Sequence, residues 1–115
     1  LGIRGGYDSG CRAASLIRQG KVDSIFSVND LTAIGIIQAL QEQGIRIPRD
    51  VSIVGYDNLP VIQTLPFRLT TVDISLGETG RRAVEHLLQS MHSGEKIRTE
   101  ISPVLCPGDS VSGRG

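Results

Sequence analysis

The sequence predicts an α/β fold, a parallel sheet flanked by helices, on three observations. Extended and helical stretches alternate along the chain with short connections, which favours parallel strands joined by right-handed crossovers. Residues 24–28 are predicted to form a strand, and residues 51–56 carry β-branched residues without a clean polar alternation, as in a strand buried on both faces. Both strands run directly into acidic and amide residues, which are Asn29 and Asp30 after the first strand and Asp57 and Asn58 after the second.

The start of the chain is predicted to hold one helix behind an irregular segment. Residues 1–10 contain four glycines and no hydrophobic period, so we expect a short extended piece followed by a loop. Residues 11–19 carry their apolar side chains on one side and are followed by Gly20, a pattern that predicts a helix with a glycine stop.

A second helix is predicted from the end of the first strand to about Gln43. Asn29 or Asp30 is suited to cap it, because a side-chain oxygen can accept hydrogen bonds from the unpaired amides of the first turn. Gly44 ends the helix, and its inward stripe consists of Ile34, Ile37 and Leu40.

Beyond the second strand we expect irregular and extended segments around one more helix. Residues 58–68 contain two prolines and are predicted to form a loop, which residues 69–74 follow as a strand. Residues 99–105 have the composition of a last strand, which Pro103 confines to an edge or a bulge. Residues 106–115 have the composition of a loop.

The third helix has the clearest pattern in the sequence. Its apolar residues recur at helical spacing over residues 76–91, and Gly94 stops it. Ser75 and Glu78 have the spacing of a capping box, in which the two side chains satisfy each other's backbone amides.

Composition excludes several classes of function for the chain by itself. Its 115 residues suffice for one small domain, and 12 basic residues balance 12 acidic ones, so there is no excess positive charge for a nucleic-acid backbone. Four Phe and Tyr residues and no Trp make a poor platform for stacking bases. No apolar run approaches the roughly 20 residues of a membrane helix, and no amino-terminal signal is visible. Cys11 and Cys106 are expected to be free thiols in a cytoplasmic protein.

The polar ends of the two strands predict a small-molecule site. In a parallel sheet they meet at the carboxyl edge, where open sheets bind their ligands. Asp57 can accept hydrogen bonds from paired hydroxyl groups, although it can also be a turn carboxylate that bonds its own loop. Of Asn29 and Asp30, one is expected to cap the helix and the other is the better ligand candidate, and we choose Asn29 for the site.

Two further residues are weaker ligand candidates. Tyr7 could cover an apolar ring face from the glycine-rich segment, and Arg4 could donate to ligand oxygens, although either can be an ordinary surface residue. No cysteine, histidine or carboxylate cluster has metal-ligand spacing, and no catalytic motif is present. We therefore expect no catalytic residue, no metal and no cofactor.

Residues 23–88 resemble the carboxyl-terminal half of a LacI/GalR-family transcriptional regulator. The resemblance is carried by IFSVND and the following helix at residues 25–43, and by the block PRDVSIVGYDN at residues 48–58. The stretch PFRLTTV at residues 66–72 and GRRA at residues 80–83 follow in the family's order and spacing.

This resemblance implies a truncated part of a type I periplasmic-binding-protein-like effector domain. In that domain a sugar or nucleobase is clamped between two lobes, and ligand binding alters operator affinity. Residues 1–72 would then belong to the second lobe, residues 73–105 to a crossover helix and strand that normally pack on the first lobe, and residues 106–115 to a tail. Operator DNA would be contacted only by an amino-terminal domain that has no counterpart in the sequence.

The resemblance also implies roles for individual residues. Residues that match Asn29 and Asp57 contact the effector in the family, and the segment that matches Arg4 to Tyr7 often supplies an aromatic ligand wall. Homodimers of the family suggest four interface residues, against the alternative of ordinary core packing, and these are Ile34, Val61, Ile62 and Leu65.

Two other functions remain open at this point. A sugar-binding protein of periplasmic transport has the same fold, and a signal peptide in a longer reading frame would indicate it. A phosphoryl receiver domain could use Asp57 as its acceptor, although no lysine is placed beside it in the sequence.

Overall fold

Three α-helices and four short β-strands alternate along the chain in the computed structural model, which describes residues 2–113. The elements in chain order are α1 (Ile3–Arg18), β1 (Ser24–Phe26), α2 (Asp30–Glu42), β2 (Ser52–Val54), a 3-10 turn (Pro60–Thr64), β3 (Thr71–Asp73), α3 (Leu76–Ser93) and β4 (Val104–Cys106). The predicted order of strand, helix, strand, loop, strand and helix is confirmed from β1 to α3, with the 3-10 turn inside the predicted loop.

The sheet is parallel where the sequence predicts it. β1 pairs in parallel with β2, with Ser24 opposite Ser52. On the other side of β2 the Gly55 N–H donates to the Thr70 carbonyl at 2.9 Å, so that β3 continues the parallel order. β4 then runs antiparallel along β3.

The start of α1 differs from the prediction. Residues 3–10 are helical, so the extended piece and loop expected over residues 1–10 are wrong for the part that the structure describes. The glycines of this segment serve helix packing instead: a Cβ atom on Gly6 would overlap the Thr32 carbonyl of α2, and one on Gly10 would lie 2.9 Å from the Ile36 carbonyl oxygen. Only glycine allows α1 and α2 to approach so closely, although it is a poor helix former.

The hydrophobic core lies between this helix pair and one face of the sheet. Its most buried members include Ala33, Ile37, Leu40 and Ile53, each at most 1% exposed. The opposite face of the sheet is open, since Phe26 and Val28 remain 69% and 56% exposed.

The last residues of the chain return to the sheet. The predicted loop at residues 106–115 is confirmed over residues 107–113, which contain no helix or strand, whereas Cys106 belongs to β4. Ser110 in this loop is nevertheless fully buried. Its hydroxyl donates to the Ile53 carbonyl at 2.6 Å and accepts from the Thr70 N–H at 2.8 Å. The segment after β4 therefore belongs to the same body as residues 2–73.

Helix α3 stands apart from that core. None of its residues is buried, and its apolar side is exposed at Leu76, Val84, Leu87, Leu88 and Met91. Gly94 ends the helix with φ +74°, as predicted. The predicted capping box is wrong, because Ser75 makes no side-chain cap bond and Glu78 pairs with Arg81 and Arg82.

In the part of the chain that the structure describes, no helix combines the length and apolar character needed to span a membrane.

Candidate ligand site at the ends of the parallel strands

The polar residues that follow β1 and β2 lie at one edge of the sheet. The Asp30 N–H donates to the Tyr56 carbonyl at 2.8 Å, so the two strand ends are joined directly before Asp57. The predicted placement of Asn29 and Asp57 at a common edge is confirmed. Their contact with a ligand stays a prediction.

Asn29 is the residue that caps α2. Its backbone is extended, and its side-chain oxygen accepts the Thr32 N–H at 2.8 Å. The choice of Asn29 for the site implied that Asp30 caps the helix, and that assignment of the cap is wrong. Because the oxygen is engaged in the cap, the group that the half-buried Asn29 can offer to a ligand is its side-chain amide N–H₂.

Asp30 is fully buried, and its carboxylate links the segments that form this edge of the sheet through hydrogen bonds. Its Oδ1 accepts the Thr71 hydroxyl at 2.7 Å, and its Oδ2 accepts the Leu59 N–H at 2.8 Å. A Cβ atom on Gly55 would overlap Oδ1, so only glycine fits there. One carboxylate thus joins the start of α2, the loop after β2 and the start of β3. This structural role was missed in the sequence, where only the acid's position in the first helical turn signalled it.

Asp57 has the features of a binding residue. Its φ of +107°, followed by +55° at Asn58, is rare for residues other than glycine, and such conformations concentrate at functional sites. Its own N–H donates to the Val72 carbonyl at 2.9 Å, which fixes the backbone. Within residues 2–113 no group donates a hydrogen bond to its carboxylate, so the alternative of a turn carboxylate bonded to its own loop is wrong.

The surroundings of Asp57 make its carboxyl a weaker acid. Partial burial raises its pKa above the ordinary value, and the nearby negative charge of Asp30 adds to the effect. A desolvated carboxylate without a hydrogen-bond donor gains most from donors that a ligand brings.

Arg4 and Tyr7 do not lie in a loop, as the sequence suggested, but on α1. Gly6 of α1 packs on Thr32, whose N–H donates to the Asn29 side chain. The exposed Arg4, one half-turn before Gly6, therefore lies toward the end of the molecule that carries Asn29. Tyr7 is engaged elsewhere.

The Tyr7 hydroxyl donates to Glu42 Oε2 at 2.5 Å, and this bond together with the charge of Glu42 raises the pKa of Tyr7 to about 12. Glu42 is the last residue of α2, about 18 Å along the helix from Asp30 at 1.5 Å per residue. The structure therefore does not bring this hydroxyl to the Asn29 edge.

An aromatic pair that was missed in the sequence lies beside the site. The rings of Phe26 and Tyr56 meet edge to face with centroids 6.4 Å apart, where Phe26 ends β1 and Tyr56 lies two residues beyond the end of β2. Tyr56 directly precedes Asp57, and the period-2 alternation of strand side chains could have indicated that both rings point away from α2.

The four suggested interface residues differ in exposure. Ile62 is buried in the core, and Ile34 and Leu65 pack against that core, so the alternative of core packing describes these three. Val61 is 37% exposed. The dimer interface itself stays a prediction.

Both cysteines are free, as predicted, with Cys11 exposed and Cys106 half-buried.

Comparison with known proteins gives a consistent family match. The model of the periplasmic binding protein-like domain family matches residues 4–111. The chain is 37% identical over 92 residues to the ribose operon repressor of Haemophilus influenzae, covering 79% of this chain and 28% of the relative. It is 35% identical over 111 residues to the transcriptional repressor PurR of Pasteurella multocida, covering 95% of this chain and 33% of the relative. The chain thus spans roughly a third of the curated relatives it matches.

Solved structures agree in fold. A LacI-family regulatory protein from Corynebacterium glutamicum superposes with a TM-score of 0.80 at 37% identity, over 97% of this chain and 43% of that one. A LacI-family regulator from Enterococcus faecalis with bound ribose superposes with a TM-score of 0.84 at 29% identity, over 97% of this chain and 41% of that one.

Proposed function

This chain belongs to the periplasmic binding protein-like domain family, and on that premise we propose that it is an effector-binding portion of a LacI-family transcriptional regulator. The observation that carries the proposal is the common edge of β1 and β2, where Asn29 and Asp57 both lie and the Asp57 carboxylate has no donor within residues 2–113. The repressors and LacI-family structures among its relatives support the regulatory context.

We propose a sugar or a related polar metabolite, such as a nucleobase, as the effector. The Asp57 carboxylate can accept from two neighbouring hydroxyls, and the Asn29 amide can donate to an oxygen of the same molecule. Arg4 lies toward this end of the molecule and is a third candidate contact. Relatives of this fold bind ribose and lactose, which fits the same set of groups.

The regulator's partners follow from the same proposal. We place it in the cytoplasm as a homodimer, with the exposed Val61 in the interface. Operator DNA would be contacted by a part of the protein outside this chain, because the chain has no net positive charge. The role requires no catalysis and no cofactor.

A binding screen of the intact protein tests the proposal. Isothermal calorimetry against sugars and nucleobases is expected to identify a ligand whose affinity falls at least tenfold in Asp57→Ala, because the ligand hydroxyls lose a charged acceptor. Glu95→Ala, at an exposed carboxylate beyond α3, is the matched control and should bind as the wild type does. Unchanged affinity in Asp57→Ala would refute the site.

DNA binding separates a regulator from a transport protein. The intact regulator should retard DNA from upstream of its own gene in a gel, and the ligand from the screen should change that affinity. A protein that binds the sugar but shows no DNA affinity at low salt, with or without it, would be a transport protein instead.

A further inference from the structure

The carboxylate of Asp73 contacts two segments at once. Its Oδ2 accepts from the Asn58 side-chain amide at 3.2 Å, in the loop that carries Asp57. Its Oδ1 accepts from the Ser75 N–H at 2.7 Å, at the entry to α3. The half-buried Asp73 ends β3 and lies opposite Asp57 in the parallel pairing.

The segment that Asp73 holds determines how α3 leaves the body. No residue of α3 is buried within residues 2–113, so packing against this part of the protein does not fix its direction. The chain enters α3 through Ser75, whose φ of +51° is a left-handed conformation that a residue other than glycine rarely adopts. The hydrogen bond that the Ser75 N–H donates to Asp73 stabilises that conformation, as in turns closed by an aspartate side chain.

We propose that Asp73 is a positioning residue that couples the ligand site to the entry of α3. Asn58 follows Asp57 directly, and both have positive φ, so a ligand that fixes Asp57 also fixes the backbone that aims the Asn58 amide at Asp73. A shift of Asn58 moves the Asp73 carboxylate, which changes the hydrogen bond between Asp73 and the Ser75 N–H. The direction in which α3 leaves the body changes with it. The inference rests on the proposed function, because it makes this contact the step between effector binding and the regulatory response.

The chemistry of the pair provides a rescue experiment. Asn58→Asp places two carboxylates face to face and leaves no donor between them, so the contact is lost. Asp73→Asn alone keeps it, because the Asn58 amide can rotate and accept from the new amide. The double variant Asn58→Asp with Asp73→Asn reverses donor and acceptor and restores a charged hydrogen bond, while the Ser75 N–H keeps an oxygen acceptor.

Amide hydrogen exchange of the ligand-free intact protein tests the coupling directly. Asn58→Asp should accelerate exchange of the Ser75 and Thr79 amides, which donate to Asp73 and to the Ser75 carbonyl, at least about fivefold, the lower end of measured couplings between sites. The double variant should return to within about twofold of the wild type, since contacting residues respond non-additively. Asp8→Asn, at an exposed carboxylate on α1, is the control and should leave these amides unchanged. No acceleration in Asn58→Asp, or a double variant as fast as Asn58→Asp, would overturn the proposal.

Ribose as a probe separates this proposal from the proposed function. If ribose binds, it should slow exchange of the Ser75 and Thr79 amides in the wild type and the double variant but not in Asn58→Asp, and equal slowing in all three proteins would overturn the coupling. If neither ribose nor any compound of the screen binds, the proposed function fails, whereas the ligand-free exchange still decides whether Asp73 couples the two segments.

Discussion

Asp30 shows how a single buried residue shapes the candidate site. A fully buried carboxylate is unfavourable unless its oxygens are hydrogen-bonded, and here the Thr71 hydroxyl and the Leu59 N–H satisfy it. Both partners belong to segments that flank Asp57 in space. The residue that holds the edge is therefore different from the residue that we expect to bind the ligand.

Removal of the Asp30 side chain should destabilise the protein markedly. Asp30→Ala leaves a buried hydroxyl and a buried N–H without acceptors, at a cost of about 3 kcal/mol in the free energy of unfolding. Asp30→Asn should cost less, because its oxygen can accept from Leu59 and its amide can donate to Thr71. Urea unfolding measures both, and an equal loss in the two variants would contradict this account of the contacts.

Asp57 should make ligand affinity depend on pH. The carboxyl accepts ligand hydroxyls fully only when ionised, and its pKa lies above the ordinary 3.8. Affinity should therefore fall on acidification at a higher pH than for an ordinary aspartate. In the ligand-free protein, the effect of pH on stability has the opposite direction. Because the pKa of Asp57 is raised in the native state, ionisation of Asp57 lowers the free energy of unfolding as pH rises through this range. Calorimetry between about pH 4 and 7 should show that ligand affinity does not depend on pH in this way in Asp57→Asn. The same pH profile of affinity in Asp57→Asn and the wild type would assign the pH dependence to another group.

Among the elements, the pair α1 and α2 depends on glycine. A Cβ atom on Gly35 would overlap the Ile3 carbonyl, just as one on Gly6 would overlap that of Thr32. The helices meet through their backbones at these positions. That contact also places the first turn of α1 against Thr32, whose N–H donates to the capping side chain of Asn29.

Substitution of Gly35 by alanine should destabilise the protein despite the better helix propensity of alanine. The overlap with the Ile3 carbonyl requires the helices to separate, at a cost of about 1–3 kcal/mol. Gly77→Ala is the matched control, because nothing lies within 4 Å of a Cβ atom there, and it should be neutral or stabilise the protein by up to about 1 kcal/mol. If urea unfolding showed the same change in the free energy of unfolding for Gly35→Ala and Gly77→Ala, the close contact at Gly35 would contribute nothing to stability.

The sequence was most informative where local pattern and tertiary environment agree. The apolar runs before Asn29 and Asp57 were recognisable as strands, and the parallel order placed both residues at one edge. The expected burial of residues 51–56 on both faces is wrong, because Ser52 and Val54 are only half-buried on the open face of the sheet. Glycine misled at the start of α1, because its density is typical of loops and tight helix packing alike. The burial of Ser110 could not be predicted, since it depends on partners far away in the sequence, at Ile53 and Thr70.

At the scale of the whole molecule, the exposed side of α3 is the main unsatisfied feature of the described chain. Its apolar residues include Leu87 at 60% and Met91 at 75% exposed. Contiguous apolar surface of this kind associates with a partner. In the two-lobed effector domains that the chain resembles, the apolar side of α3 would pack against the other lobe.

The chain of residues 1–115, expressed by itself, should therefore self-associate through α3. Light scattering should show a mass that rises with concentration, and Leu87→Lys with Met91→Lys should shift it toward the monomer by placing charge in the contact. Leu16→Lys, on α1 and 41% exposed, is the control and should leave association unchanged. A stable monomer of the unmodified chain over a broad concentration range would contradict this expectation.

The central claim is that Asn29 and Asp57 form one binding site, and a crystal structure of the intact protein with the tightest ligand from the screen tests it most directly. We expect ligand hydroxyls within about 3.2 Å of the Asp57 carboxylate oxygens and a ligand oxygen within the same distance of the Asn29 amide nitrogen. A ligand bound away from this edge, with neither side chain in contact directly or through one water, would contradict the claim.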